Sequence, residues 1–157
     1  MSQRKPTAPR RTGSVDRGQL SKRMLLPMPR HEIEALSLKY RTVFEALRMR
    51  CGSAYGLRAL LQMVIVTSFI DEARRHEIRA EVLVAAQQGI NAAFERGKQD
   101  REWWLDMDTE ELVASLLTWH DDQLRTTPLA VLMEAIERLE RFTSGKSYDR
   151  PPVRPIP

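Results

Sequence analysis

Residues 54–74 read AYGLRALLQMVIVTSFIDEAR, and this stretch decides the fold. Leu57, Leu60, Leu61, Met63, Val64, Ile65, Val66, Phe69 and Ile70 leave no polar side if the segment is helical. A helix that is apolar all round is one surrounded by other helices. Its apolar run, Leu57 to Ile70, is interrupted by Arg58 and Gln62 and reads as too short to cross a bilayer. The segment is therefore expected at the centre of a bundle.

Amphipathic segments flank it on both sides. Upstream, Ile33, Leu36, Tyr40, Val43, Phe44, Leu47 and Cys51 recur at three- and four-residue steps, predicting a helix over 31–50 that Gly52 stops. Ser53 is placed to cap the central helix. Downstream, Ile78, Val82, Leu83, Ala86, Ile90, Ala93 and Phe94 predict a helix over 77–96 closed by Gly97. Whether it continues the central helix or bends away near His76 is open. Asp108 with Glu111 has the form of a capping box, opening a helix with Leu112, Val113, Leu116, Leu117, Trp119 and Leu124 on its face. Thr127 and Pro128 open another, with Leu129, Leu132, Ala135, Ile136, Leu139 and Phe142 on its face and Gly145 after its end. No stretch alternates apolar and polar residues over a strand's length, and short connections favour antiparallel neighbours. The expected fold is all-α, a compact bundle of four or five helices over 24–145. Residues 1–23 are expected to be a disordered basic arm. Residues 146–157 should form an extended Pro-rich tail. Between arm and bundle, Met24, Leu25, Leu26 and Met28 are expected to lie on the domain, with Pro27 and Pro29 keeping that segment extended.

Charge divides the chain as sharply. Residues 1–30 hold eight Lys or Arg against Asp16 alone, a net +7, whereas residues 31–143 hold fourteen basic and nineteen acidic residues, a net −5. The overall +4 thus belongs to the ends rather than to the helical body. An arm bearing Arg4, Lys5, Arg10, Arg11, Arg17, Lys22 and Arg23 among Pro, Ser and Gly suits DNA or RNA phosphates, bound by counterion release with little base preference. It holds no aromatic residue to stack on bases, and its other reading is a solubilising tail. Further cations, Lys39, Arg41, Arg48, Arg50 and Arg58, then Arg74, Arg75 and Arg79, stand beside acids and read as ion-paired solvent faces.

Catalytic chemistry finds little to work with. His31-Glu32 and His76-Glu77 begin like a zinc-protease signature, but position 35 and position 80 hold Ala where the second His belongs. His120-Asp121-Asp122 diverge by about 100° per residue on a helix, so they read as a solvated helix end rather than a metal site. No phosphate-binding Gly loop and no nucleophile setting is present. Cys51, alone, excludes an internal disulfide, suits a reducing compartment, and is expected to be a small buried hydrophobe. No enzyme activity, cofactor, metal or membrane contact is expected. Without a signal-peptide core after the basic start, the expected compartment is cytoplasmic.

Two segments suggest partners. Ala85-Ala86-Gln87-Gln88-Gly89-Ile90-Asn91 has the outline of a helix-turn-helix turn. Gln88 and Glu95, however, sit where apolar residues belong, so an uninterrupted helix is the stronger reading. Trp103 and Trp104 read as core packing or, in an adaptor or homodimer with no nucleic-acid role, as partner contacts.

Several stretches together carry a resemblance. They are Leu25-Leu26-Pro27-Met28-Pro29 with Ile33-Glu34-Ala35-Leu36-Ser37-Leu38, then Trp119-His120-Asp121-Asp122-Gln123-Leu124 with Pro128, and Glu137-Arg138-Leu139-Glu140-Arg141-Phe142. They resemble a group of small uncharacterised proteobacterial proteins of plasmids and integrative elements, some labelled Fis-family transcriptional regulators. The resemblance covers most of 24–145 and implies a bacterial mobile-element accessory protein with a DNA-related regulatory role. Fis-type proteins are similar to dimeric bundles with a C-terminal helix-turn-helix. The segment Pro128 to Phe142 has no such pattern, so no DNA-contacting residue carries over from them.

Overall fold

The computed structural model describes residues 17–145, and among these the chain forms six helices and no strand. They are α1 (Arg17–Met24), α2 (Arg30–Arg48), α3 (Ala54–Ala73), α4 (Ala80–Asp100), α5 (Met107–Thr126) and α6 (Leu129–Thr143). The all-α class is as expected; the count exceeds four or five. The separation of α3 from α4 gives the five helices the sequence allows, and the sixth is α1, formed largely by residues placed in the arm.

Helix α3 is the hub, packed against α2, α4, α5 and α6. Its length and composition would also suit a membrane span, contrary to the expectation from its apolar run. In the fold, that apolar surface is spent on other helices. Its N-terminal half, with Leu57, Leu60, Met63 and Val64, joins Phe44 and Leu47 of α2, Leu83, Ala86, Ile90 and Ala93 of α4, and Val113, Leu116 and Leu117 of α5. Its C-terminal half, with Val66 and Ile70, joins Ile33, Leu124, Leu132 and Ala135 in a second cluster. Thus α4 closes one end of α3 and α6 the other.

The break between α3 and α4 has a local cause. Buried Asp71 turns its carboxylate back to accept from the N–H groups of Glu77 (3.0 Å) and Ile78 (3.2 Å). His76 takes the left-handed conformation, with φ of 52°. A carboxylate near the end of one helix thus satisfies the amides that lead into the next.

Several boundaries fall elsewhere than the sequence suggests. Helix α4 runs through Gly97 to Asp100, and the left-handed residue after it is Arg101, whose N–H donates to the Gly97 carbonyl. A Cβ at Gly97 would collide with the Trp103 ring, so this glycine serves close approach rather than termination. Gly89 behaves alike: α4 is continuous there, and a Cβ would overlap the Thr109 side chain of α5. The turn outline at 85–91 is therefore helix. Asp106, not Asp108, caps α5, accepting from the Thr109 N–H at 2.8 Å. The last helix begins one residue later than expected, with Pro128 as its cap, while Gly145 takes φ of 69° after its end as its position suggests. Cys51 is exposed rather than buried, because the chain has already turned at Arg50 (φ 57°). Leu25 and Leu26 are exposed as well; of that segment only Met28 packs on the core, against the second cluster.

Candidate nucleic-acid interface and a buried polar seam

The N-terminal cations divide into two groups. Arg4, Lys5, Arg10 and Arg11 lie outside the described residues, as does the tail 146–157. Arg17, Lys22 and Arg23 belong to α1. This helix lies against α6 and is fixed at its end where the Leu129 N–H donates to the Leu26 carbonyl at 2.8 Å. Lys22 and Arg23 are exposed and make no ion pair with any described carboxylate.

Several cations of the bundle are placed differently, although Lys39, Arg58, Arg75 and Arg101, like Lys22 and Arg23, have no ion pair among the described residues. Arg41 reaches across from α2 to the buried carboxylate of Asp121 on α5. Arg48 binds Glu45 (2.9 Å) and approaches Glu110 (3.5 Å). Arg138 pairs with Glu72 at 2.9 Å, its guanidinium 3.9 Å from the Phe69 ring centre. Arg125 pairs with Asp122 and Lys98 with Glu95. Arg79 lies 3.6 Å from Glu81, and Arg74 donates to the Thr126 hydroxyl at 2.7 Å. Nor do these groups form one surface. Arg48 ends α2, next to where α3 begins, and Arg74 follows the other end of α3. A 20-residue helix puts about 30 Å between them.

The tryptophans are engaged inside the fold. The Trp103 ring seats on Gly97 and meets the Phe94 ring edge-on at 6.3 Å. The guanidinium groups of Arg50 and Arg96 lie over the Trp104 ring at 4.6 and 4.3 Å, and Arg96 also donates to the Trp104 carbonyl at 3.1 Å. Both rings are half-buried.

Where α3 meets α5, a seam of polar groups crosses the core. Sequence reading places His120 and Asp121 at a solvated helix end, yet they are 2% and 5% exposed; only Asp122 faces solvent. The three side chains do diverge, to Thr67, Arg41 and Arg125 respectively. His120 Nδ1 shares a hydrogen bond with the Thr67 hydroxyl at 2.9 Å, and its ring stands edge-on to Tyr40 at 5.6 Å. Its Nε2 has no hydrogen-bond partner among the described residues. The Gln123 side chain donates to the Thr67 carbonyl at 3.2 Å. Burial pushes the imidazole pKa down to about 4, only partly offset by the neighbouring Asp121 carboxylate. The ring is therefore neutral at physiological pH, which suits a buried structural group. The signal missed was register: His120 lies four residues after Leu116 and four before Leu124, on the apolar stripe of α5. Among the described residues no three His, Cys, Asp or Glu side chains are grouped to hold a metal ion.

Comparison with known proteins finds no match to the chain, whether among protein-family models, curated proteins or solved structures. Fold and surface define, among the described residues, an all-α bundle of six helices whose α1 carries Lys22 and Arg23 without a described carboxylate partner.

Proposed function

We propose that this chain is a small non-enzymatic accessory protein that contacts DNA or RNA through Arg4, Lys5, Arg10, Arg11, Arg17, Lys22 and Arg23, in the regulation of a bacterial mobile element. The observation that supports this reading is the contrast in how cations are used. Arg41, Arg48 and Arg138 are held by carboxylates of the bundle, whereas Lys22 and Arg23 project from α1 without one. An unpaired surface cation neutralises a phosphate without first leaving an acid, and releases the phosphate's counterion. Neither His120, held neutral in the core, nor the exposed Cys51 has the neighbours that would make it a catalytic group. The regulatory and mobile-element parts rest on the resemblance carried by residues 25–38, 119–128 and 137–142.

The test is titration of labelled duplex DNA and of single-stranded RNA with the full chain across a salt series. Binding should weaken steeply with salt, and Lys22→Ala or Arg23→Ala should each flatten the log–log slope by about 0.9 for duplex. No binding at low salt, or a slope unmoved by either substitution, would contradict the reading.

A further inference from the structure

Arg74 and Arg75 follow the last turn of α3 and are exposed. Neither pairs with a described carboxylate. Arg74 instead donates to the hydroxyls of Thr126 (2.7 Å) and Thr127 (3.4 Å) at the end of α5. A hydroxyl orients a guanidinium without neutralising it, so the charge remains for an anion. The acids around the pair are largely taken. Asp71 accepts from the N–H groups of Glu77 and Ile78, Glu72 pairs with Arg138, and Asp122 with Arg125. Glu77, two residues beyond Arg75, makes no ion pair among the described residues and opposes the two cations.

The fold brings this pair to the end of the bundle where α1 finishes. The Leu129 N–H donates to the Leu26 carbonyl at 2.8 Å. The N–H groups of Leu25 and Leu26 donate in turn to the carbonyls of Lys22 and Arg23, each at 3.2 Å. Lys22 and Arg23 therefore stand one turn from the tie at Leu129. Thr126, which holds Arg74, comes three residues before Leu129, so at most about 11 Å separates their Cα atoms. The two pairs of cations thus lie within a single turn of a double helix, about 34 Å, of one another. Cations held at fixed spacing suit a partner whose phosphates are themselves fixed, as on the two sides of a duplex major groove about 12 Å wide.

We propose that Arg74 and Arg75 form a second phosphate-binding pair, on the folded body, that contacts the same duplex DNA as Lys22 and Arg23. The proposal rests on the nucleic-acid reading and deepens it, because contacts at both places set the duplex across the end of the bundle where α1, α3 and α5 finish. Arg58 and Arg101 provide the contrast. They too are exposed and without an ion pair among the described residues, but Arg58 lies about 24 Å of helix away from Arg74, and Arg101 follows the far end of α4.

The test is duplex DNA binding across a salt series by the full chain and by its Arg74→Gln, Arg75→Gln double variant. The log–log slope should flatten by about 1.8, two phosphate contacts at about 0.9 each. Circular dichroism should be unchanged, since both side chains are exposed. Glu77→Gln, which removes the opposing acid, should tighten binding. The Arg58→Gln, Arg101→Gln double variant removes equal charge at the other end and should leave the slope where it was. A slope unmoved by the Arg74, Arg75 variant, while Lys22→Ala or Arg23→Ala still flattens it, overturns this proposal and leaves the nucleic-acid reading standing. Equal flattening by the Arg58, Arg101 variant overturns it too, since overall charge would then suffice, and an equal loss on single-stranded RNA overturns the assignment to duplex. No binding by the full chain at low salt overturns both readings.

Discussion

Arg41 and Lys22 are both cations on helices of this protein, but their surroundings are opposite. Arg41 lies against the carboxylate of Asp121, itself 5% exposed, and ties α2 to α5. Lys22 stands in solvent on α1, with no described carboxylate beside it. Charge at Arg41 and Arg138 joins helices, whereas Lys22 and Arg23 on the N-terminal side pair with no described carboxylate, a condition that Lys39, Arg58, Arg75 and Arg101 of the bundle share. Changes on the two sides should therefore have crossed effects, one set costing stability without altering nucleic-acid binding and the other the reverse.

The largest effect on stability comes from the seam at His120. The folded protein keeps this ring neutral down to about pH 4, whereas the unfolded chain takes up the proton near the ordinary 6.5. Below 6.5 the unfolded state thus binds more protons. Stability falls as pH drops toward 4, by about 3 kcal/mol in all, and this group contributes no further change below that. Urea titrations at pH 7 and pH 5 should differ by about 2 kcal/mol, most of which His120→Gln removes. A pH profile that is the same with and without His120 would break this side of the comparison.

Asp71→Ala comes next. It leaves the N–H groups of Glu77 and Ile78 without their acceptor at the turn between α3 and α4, costing about 2 kcal/mol by thermal or urea unfolding. Arg41→Ala, which strips a buried carboxylate of its partner but leaves it near solvent, should cost about 1 kcal/mol. Nucleic-acid affinity should be unchanged in both variants. The smallest effect on stability belongs to Lys22→Ala and Arg23→Ala, under about 0.5 kcal/mol each, since exposed groups outside any ion pair support nothing in the fold. These same substitutions are the ones expected to move binding.

How much of this was legible in the sequence depends on what each feature needs. The centrality of α3 needed only composition: a helix apolar on every side has to be enclosed. The inner stripes of α2, α5 and α6 followed from spacing, except that Trp119, Ile136 and Phe142, expected on them, are exposed, and Gly145 followed from its place after the last apolar turn. Glycines at 89 and 97 were misread because their role is tertiary. Each makes room for a residue of another element, Thr109 or Trp103, and nothing local distinguishes that from a helix stop. The left-handed positions fell instead to Arg50, His76 and Arg101, of which only His76 is of a type enriched there. Asp106 and Asp108 each precede backbone N–H groups from which a capping carboxylate could accept, and only the folded loop selects the first. For His120 the helix face was readable, but polarity concealed it, since a histidine followed by two aspartates looks like surface. Of the candidate interface, the charge asymmetry was plain in the sequence. That Arg41, Arg48 and Arg138 are held by acids, while Lys22 and Arg23 sit on a helix, needed the structure.

Removing the N-terminal cations together tests the central claim most directly. Duplex DNA binding and urea stability should be measured for the full chain and for a chain beginning at Met24, over one salt series. The account predicts tight, salt-steep binding by the full chain, its loss on truncation, and stabilities within about 0.5 kcal/mol of each other. Equal binding by both chains, or none by the full chain at low salt, would contradict it.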